Sequence, residues 1–243
     1  QTCALPICRS QGRRGILRVL VTPLFIGLGR MASNKRPLFI TLDGIDGGGK
    51  STQIELLTNW LQQQGHSVQT FRDPGTTKLG TAVREILLHR EDIPLANTTE
   101  MLLYMAARAQ LVAELVQPAL EQGHTVLCDR FLLANVVYQG YAGGLTVDAI
   151  WEVGKVATQG CMPDVTIVLD IDPAVAASRI QRGQDRLEKR GLPYFEKVRE
   201  GFRQQLERCS GITSLVQADR DVDIVHREIV DVVLKAIRNR SES

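Results

Sequence analysis

The sequence has no C-x-x-C pair, no histidine cluster and no long apolar run, and each absence removes a class of function. Its five cysteines are scattered without regular spacing, which argues against a disulfide scaffold and fits reduced thiols in a cytosolic protein. Cys128 and Cys161 read as packing residues. His66, His89, His124 and His226 have no metal-ligand spacing, so a metal site built from His and Cys is not expected. The apolar stretch Val19–Gly29 contains Pro23 and falls short of the ~20 residues that span a bilayer, so no membrane partner is expected. No repeat, no Ser-His-Asp set and no convincing acid–base pair stands out.

Acidic residues are missing altogether from residues 1–30, which hold Arg9, Arg13, Arg14, Arg18 and Arg30. The formal charge of the chain is +2, from 29 basic and 27 acidic residues; without those five arginines 24 basic residues face 27 acidic ones. A globally basic surface for nucleic acid is therefore not expected. The chain begins with Gln1, and one legal reverse translation of Gln1–Ile7, CAG ACG TGT GCT CTT CCG ATC, resembles the end of a sequencing-library adapter. Residues 1–30 are thus expected to be a non-native leader, with Met31 the start of a single domain covering 31–243. The rival reading is an Arg-rich transit segment.

What is present is an alternation of short apolar runs and helical stretches, the pattern of a parallel sheet covered by helices. Strands are expected at residues 38–42, 66–71, 125–129, 165–170 and 212–216. Helices are expected at 50–64, 79–88, 98–122, 146–159, 173–181, 194–209 and 223–239. Thr98 should cap the third helix, and Pro118 should kink its last turns. Residues 183–191 read as a polar, mobile loop.

Gly44-Ile45-Asp46-Gly47-Gly48-Gly49-Lys50-Ser51 fits G-x-x-x-x-G-K-[ST] directly after a strand and at the opening of a helix. Glycines there let backbone N–H groups turn inward around a polyphosphate, and the helix N-terminus adds partial positive charge. Lys50 reaches the β- and γ-phosphates of such a ligand, and Ser51 can bind Mg²⁺ through its hydroxyl. A GTPase would need N-K-x-D after a later strand; the Asn34-Lys35 pair precedes the loop and lacks the Asp. Asp129, at a strand end, is placed to act on Mg²⁺ from outside its direct ligands, as a Walker B acid does. The competing reading makes it a partner for Arg130.

From about Leu38 to the C-terminal helix the chain resembles the thymidylate kinase family. Five segments carry the likeness: Leu42–Thr52; Arg72-Asp73-Pro74-Gly75-Thr76-Thr77; Leu103–Gln110; Asp129-Arg130-Phe131 with Ala134–Gly140; and Pro163-Asp164, Leu169–Pro173, Arg179 and Asp185–Glu188. The resemblance implies an α/β P-loop NTPase fold of three α/β/α layers around a five-stranded parallel sheet. It implies transfer of a phosphoryl group from ATP to dTMP with Mg²⁺, in a cytoplasmic homodimer. Gly44 to Thr52 would hold the ATP phosphates. Arg72 and Arg130 would hold the acceptor phosphate, with surface salt bridges as their bland alternative. Asp46 would receive the sugar 3′-hydroxyl. Tyr104 would stack on the thymine, Arg108 would bond its carbonyl, Asn135 would meet the pyrimidine edge, and Tyr138 would crowd the 2′ position.

A lid is expected at about 180–191. The P-loop lacks the arginine that some family members carry after Asp46, so Arg182 and Arg186 become candidates for charge at the transferring phosphoryl group. Arg179 reads as a packing or adenine-side residue. The chain also departs from the family pattern. R-E-P-G-G reads Arg72-Asp73-Pro74-Gly75-Thr76, and the shorter Asp73 is expected to loosen the loop that orients Arg72. The usual Glu before Gly44 is Asp43, and the Ser before Asn135 is Ala134. The alternatives are another small-molecule P-loop kinase or a nucleotide-binding protein without catalysis.

Overall fold

In the computed structural model, which describes residues 36–180 and 186–241, five strands form one sheet of order β2-β3-β1-β4-β5, with every neighbouring pair parallel. The strands are β1 (Phe39–Gly44), β2 (Val68–Arg72), β3 (Thr125–Asp129), β4 (Val165–Asp170) and β5 (Ile212–Gln217). The three central strands β3, β1 and β4 are buried at every residue, whereas the edge strands β2 and β5 are only partly so. Strands covered on both faces need continuous apolar character, and Phe39, Ile40, Leu42, Val126, Leu127, Val165, Ile167 and Val168 supply it.

The covering helices are α1 (Lys50–Gln63), α2 (Lys78–Leu88), α3 (Asn97–Leu111), α4 (Gln117–Glu121), α5 (Leu132–Asn135), α6 (Val147–Thr158), α7 (Pro173–Ser178), α8 (Leu192–Gln205) and α9 (Val222–Ser241). The described residues all belong to one compact unit. The expectation for residues 1–30 lies outside them.

Three differences from the sequence reading have physical causes. The long helix expected at 98–122 is interrupted by a π-helical turn at Val112–Val116, just before Pro118 enters α4. Proline has no N–H to donate and its ring crowds the preceding turn, and a widened turn accommodates that. Thr98 is not the cap: Ala96 is the last extended residue and no side chain caps the helix, while the Asn97 amide donates instead to the Gly143 carbonyl at 3.1 Å. His66 does not open β2; its N–H bonds to the Leu61 carbonyl and closes α1.

A further element had no sequence forecast. α5 runs into a π-helical turn at Val136–Tyr141, and residues 131–140 are all buried. A helix enclosed on every side shows no polar face and no 3.6-residue rhythm, so periodicity could not reveal it.

Candidate active site

The sheet register brings the chemistry to one edge. Leu42 and Arg72 both lie opposite Asp129, and Gly44 lies opposite Leu169. Arg72, Asp129 and the loop after Gly44 therefore meet at the carboxyl ends of the strands, where open parallel sheets bind ligands.

The loop between β1 and α1 turns through positive φ at Gly44 (130°), Gly47 (80°) and Gly49 (87°). A Cβ on Gly44 would lie 2.6 Å from the Leu169 carbonyl oxygen, and one on Gly47 would lie 2.2 Å from that of Ala176. Backbone occupies the space a side chain would need, so these glycines are required twice over. Lys50 is 6% exposed and folds back over the loop. Its Nζ donates to the carbonyls of Ile45 (2.8 Å) and Gly44 (3.2 Å) and lies 3.6 Å from the Asp46 carboxylate. Burial, with the positive charge of Arg130, lowers its pKa to about 8. An open cleft of about 1100 Å³ is lined by residues 46–53, Arg72, Asp129, Arg179 and Arg220.

Beside it lies a second pocket, of about 510 Å³, lined among others by Asp46, Arg72, Arg84, Tyr104, Arg108 and Arg130. Asn135 and Tyr138 also face it. Asp46 and Arg72 line both spaces. The residues expected to hold an acceptor thus converge on one pocket that opens beside the polyphosphate loop.

Arg130 is the pivot of this pocket. It adopts φ 67°, a left-handed conformation that strains a non-glycine residue. Its guanidinium donates to the Gly44 carbonyl (2.7 Å) and to Asp46 Oδ1 (2.9 Å), and lies 5.1 Å from the centroid of the Tyr138 ring. Burial disfavours the charge, but Tyr138, Asp46, Asp129 and Asp43 more than offset it, and the pKa is raised. Asp129 lies 3.6 Å from the Arg72 guanidinium and also adds to the negative field around Arg130. Its Oδ1 is buried without a hydrogen-bond partner. With Ser51 on the same cleft, that orphaned oxygen fits a divalent cation. Tyr138 is buried, and the edges of Tyr194, Phe195 and Phe202 pack around its ring.

Arg108 is 1% exposed yet lines this pocket, and protein groups hold most of its donors: Nε gives to Asp73 Oδ2 (2.6 Å), Nη1 to Asn135 Oδ1 (3.1 Å) and Nη2 to the Phe131 carbonyl (3.2 Å). The 72–77 loop is not loosened by its shorter acid. Asp73 is buried against Arg108, its N–H donates to the Asp129 carbonyl (3.0 Å), and Thr76 Oγ1 both accepts from the Arg72 N–H (2.7 Å) and donates to the Arg72 carbonyl (3.0 Å). The threonine that replaces the pattern's glycine clamps the loop.

Family-model comparison matches the thymidylate kinase model to residues 42–229. The chain belongs to the thymidylate kinase family. It is 43% identical over 198 residues to the thymidylate kinase of Thermoanaerobacter sp. (strain X514), covering 81% of this chain and 97% of that protein. The thymidylate kinase of Rhodopirellula baltica is 42% identical over 195 residues, covering 80% and 79%. Among solved structures, thymidylate kinase from Ehrlichia chaffeensis matches with a TM-score of 0.65 and 28% identity, over 81% of this chain and 98% of that one. The expected α/β P-loop kinase fold is borne out.

Two residues lining the second pocket were not foreseen. Arg84 on α2 lines the acceptor-side pocket and donates to the Pro74 carbonyl at 3.2 Å; burial and the nearby charge of Arg72 lower its pKa. Gln139 stood inside a matched segment without a role, yet it faces the pocket. Gln139 was marked by polarity inside an otherwise largely apolar stretch, whereas Arg84, next to Glu85 on a helix that also carries Lys78 and Thr81, had no such mark.

The expected lid is only partly within the described residues. Arg182 lies outside them. Arg186 lines neither cleft: its guanidinium donates to the carbonyls of Ile93 (3.0 Å) and Arg90, and its N–H to that of Leu88 (3.3 Å). Arg179 lines the donor-side cleft and donates to the Ala218 carbonyl at 3.2 Å.

Proposed function

We infer that this protein phosphorylates dTMP to dTDP, with ATP as donor. The single observation that carries the reading is the pair of adjoining spaces sharing Asp46 and Arg72. One is floored by the glycine loop and Lys50, and the other is lined by guanidinium groups. A polyphosphate in the first and a monophosphate in the second would meet across Asp46. The attacking group is already an anionic phosphate oxygen, so no general base is needed. Lys50 neutralises the donor's transferring end, Arg72 and Arg130 grip the acceptor phosphate through planar forks, and Asp46 takes the sugar hydroxyl. Tyr104 stacks on the base, Arg108 and Asn135 meet its polar edge, and Tyr138 fills the space beside the 2′ position.

Ser51 would hold Mg²⁺ through its hydroxyl, with Asp129 acting from outside the direct ligands, and the ion when bound would neutralise phosphate charge. Arg182 and Arg186 are the proposed sources of positive charge at the transferred group; Arg186 would have to leave the carbonyls of Arg90 and Ile93 to reach it. A homodimer is supported by exposed Leu79 on α2 and Leu102 on α3, 45% and 49% accessible. Among the described residues no helix is long and apolar enough to cross a membrane. Cys128, Cys161 and Cys209 are free thiols, consistent with a cytoplasmic setting.

The test is ADP release from ATP and Mg²⁺ across a panel of nucleoside monophosphates, on the full chain and on one starting at Met31. dTMP should give the highest kcat/KM, and both chains should match. Preference for another acceptor would replace the substrate assignment. Loss of activity in the shorter chain would make residues 1–30 part of the protein.

A further inference from the structure

A line of side-chain hydrogen bonds runs behind the acceptor pocket, and its direction is fixed at both ends. At one end Arg108 can only donate; its Nη1 gives to Asn135 Oδ1 at 3.1 Å. Asn135 Nδ2 then donates to Gln139 Oε1 at 2.5 Å. Gln139 Nε2 donates to Glu100 Oε1 at 2.8 Å. At the other end the Glu100 carboxylate can only accept. Glu100 sits in the first turn of α3 and is 4% exposed, and Asn135 and Gln139 are each 2% exposed. A guanidinium and a carboxylate thus set the orientation of two amides between them, and neither amide can turn without facing like against like.

Glu100 has a second task. Arg190 Nη2 donates to its Oε2 at 2.9 Å and its Oε1 at 3.2 Å. Arg190 Nη1 also donates to the Tyr194 hydroxyl (3.1 Å), which donates in turn to the Tyr138 carbonyl (2.8 Å). One carboxylate therefore serves donors from α8's approach and from the pocket wall. A neutral amide in its place would have only one oxygen for the two sides.

We propose that Glu100, acting through Gln139, is a positioning residue that sets which pyrimidine edge the acceptor pocket accepts. The proposal rests on the reading that this pocket takes the base of a nucleoside monophosphate. Arg108 donates whatever its neighbours do; what the line fixes is Asn135, whose remaining N–H and lone pair keep one sense because Oδ1 is held toward Arg108 and Nδ2 toward Gln139. That polarity suits a ring that accepts where Arg108 donates, a keto pyrimidine, and opposes an amino pyrimidine.

The experiment measures kcat and KM for dTMP and dCMP, KM for ATP, and Tm, in the wild type and in Glu100→Gln, Gln139→Met, the double variant and Asn135→Ala. Glu100→Gln should raise KM for dTMP and lower the dTMP-to-dCMP preference, each on the order of tenfold, with KM for ATP unchanged. Gln139→Met should do the same, and the double variant should be no worse than either single one, because both cut the same line. Glu100→Gln and Gln139→Met that lower Tm but leave KM and preference alone would overturn the proposal and make Glu100 a purely structural acid. Should Glu100→Gln fail to fold, Glu100→Asp, which keeps the charge but draws the carboxylate back from Gln139, decides it by the same criteria. Asn135→Ala without effect on dTMP would instead remove the base-pocket reading itself.

Discussion

The two clefts of this kinase, one proposed for the donor phosphates and one for the acceptor, are built from different materials. The donor side is backbone: glycines at positive φ, a helix N-terminus and one lysine lying along its own loop. The acceptor side is side chains: Arg72, Arg84, Arg108 and Arg130 converging from β2, α2, α3 and the turn after β3. Each side also rests on one buried acid next to its loop. Asp43, just before Gly44, has no side-chain hydrogen-bond partner and meets only the backbone of Phe131, whereas Asp73, just after Arg72, is ion-paired with Arg108 at 2.6 Å. A backbone cradle needs little electrostatic support, but a cage of arginines needs counter-charge placed to the ångström.

The sharpest break in the donor side is Lys50→Ala. It should lower kcat by about a thousandfold or more, since charge neutralisation at the transferring group is the core of phosphoryl-transfer catalysis. Tm should move little, because the lysine's bonds are to carbonyls of its own loop, and the Gly44 carbonyl keeps its bond from Arg130. Single-turnover kinetics with circular dichroism as a fold control checks this; near-normal turnover would remove Lys50 from the mechanism.

On the acceptor side the acid is the weak point. Asp73→Asn leaves Arg108 buried without a counter-charge, and breaking one partner of a buried pair typically costs about 3 to 5 kcal/mol. Urea unfolding should show a loss of that size, with KM for dTMP raised and KM for ATP little changed. An unchanged unfolding midpoint would mean that Asn135 and the Phe131 carbonyl alone satisfy Arg108.

The same contrast explains what could be read in the sequence. The donor side is contiguous, so its residues and roles are visible in one eight-residue pattern. The three central strands were placed to within two residues because buried parallel strands need largely apolar runs. The acceptor side is assembled from residues far apart in the chain: the Gln139–Glu100 and Arg190–Glu100 bonds span 39 and 90 positions. No spacing rule reaches that far. Arg72, Tyr104, Arg108, Arg130 and Asn135 were singled out through family likeness, and Arg84 and Glu100, with no motif around them, were not. The left-handed turn at Arg130 also leaves no trace in residue type, since arginine is no more suited to it than its neighbours are.

The two acceptor arginines should themselves be unequal. Arg130 is enclosed, with 14% of its side chain accessible, and bonds Asp46 and the Gly44 carbonyl; Arg72 is half exposed. Arg130→Ala should reduce kcat/KM for dTMP by about 3 kcal/mol, roughly a hundredfold, and Arg130→Lys should not restore it, because a point charge lacks the fork. Arg72→Ala should cost less. Equal losses would mean that the substrate, and not the free protein, sets the geometry of both.

The smallest effect concerns Asp43, and it has the opposite sign. Burial raises its pKa from 3.8 to about 6 against the lowering influence of Arg130 and Lys50. The folded protein therefore holds a proton that the unfolded chain has released. Unfolding releases that proton between about pH 4 and pH 6, so this group's contribution to stability is fully present below pH 4 and is lost as pH rises through 6. Two pKa units correspond to about 3 kcal/mol, an upper bound on what Asp43→Asn recovers at pH 7.5. The variant should unfold at higher urea than the wild type at pH 7.5 and at nearly the same urea at pH 4. Asp170 supplies the control. Burial pushes that carboxyl up, but hydrogen bonds from Arg199, Arg203 and Gln217 outweigh it and hold it at about 2. Its contribution is present above pH 4 and lost as pH falls toward 2, so Asp170→Asn should destabilise at pH 7.5. If both variants moved stability the same way, burial and partnering would not be what separates an unsupported acid beneath a backbone cradle from a supported one.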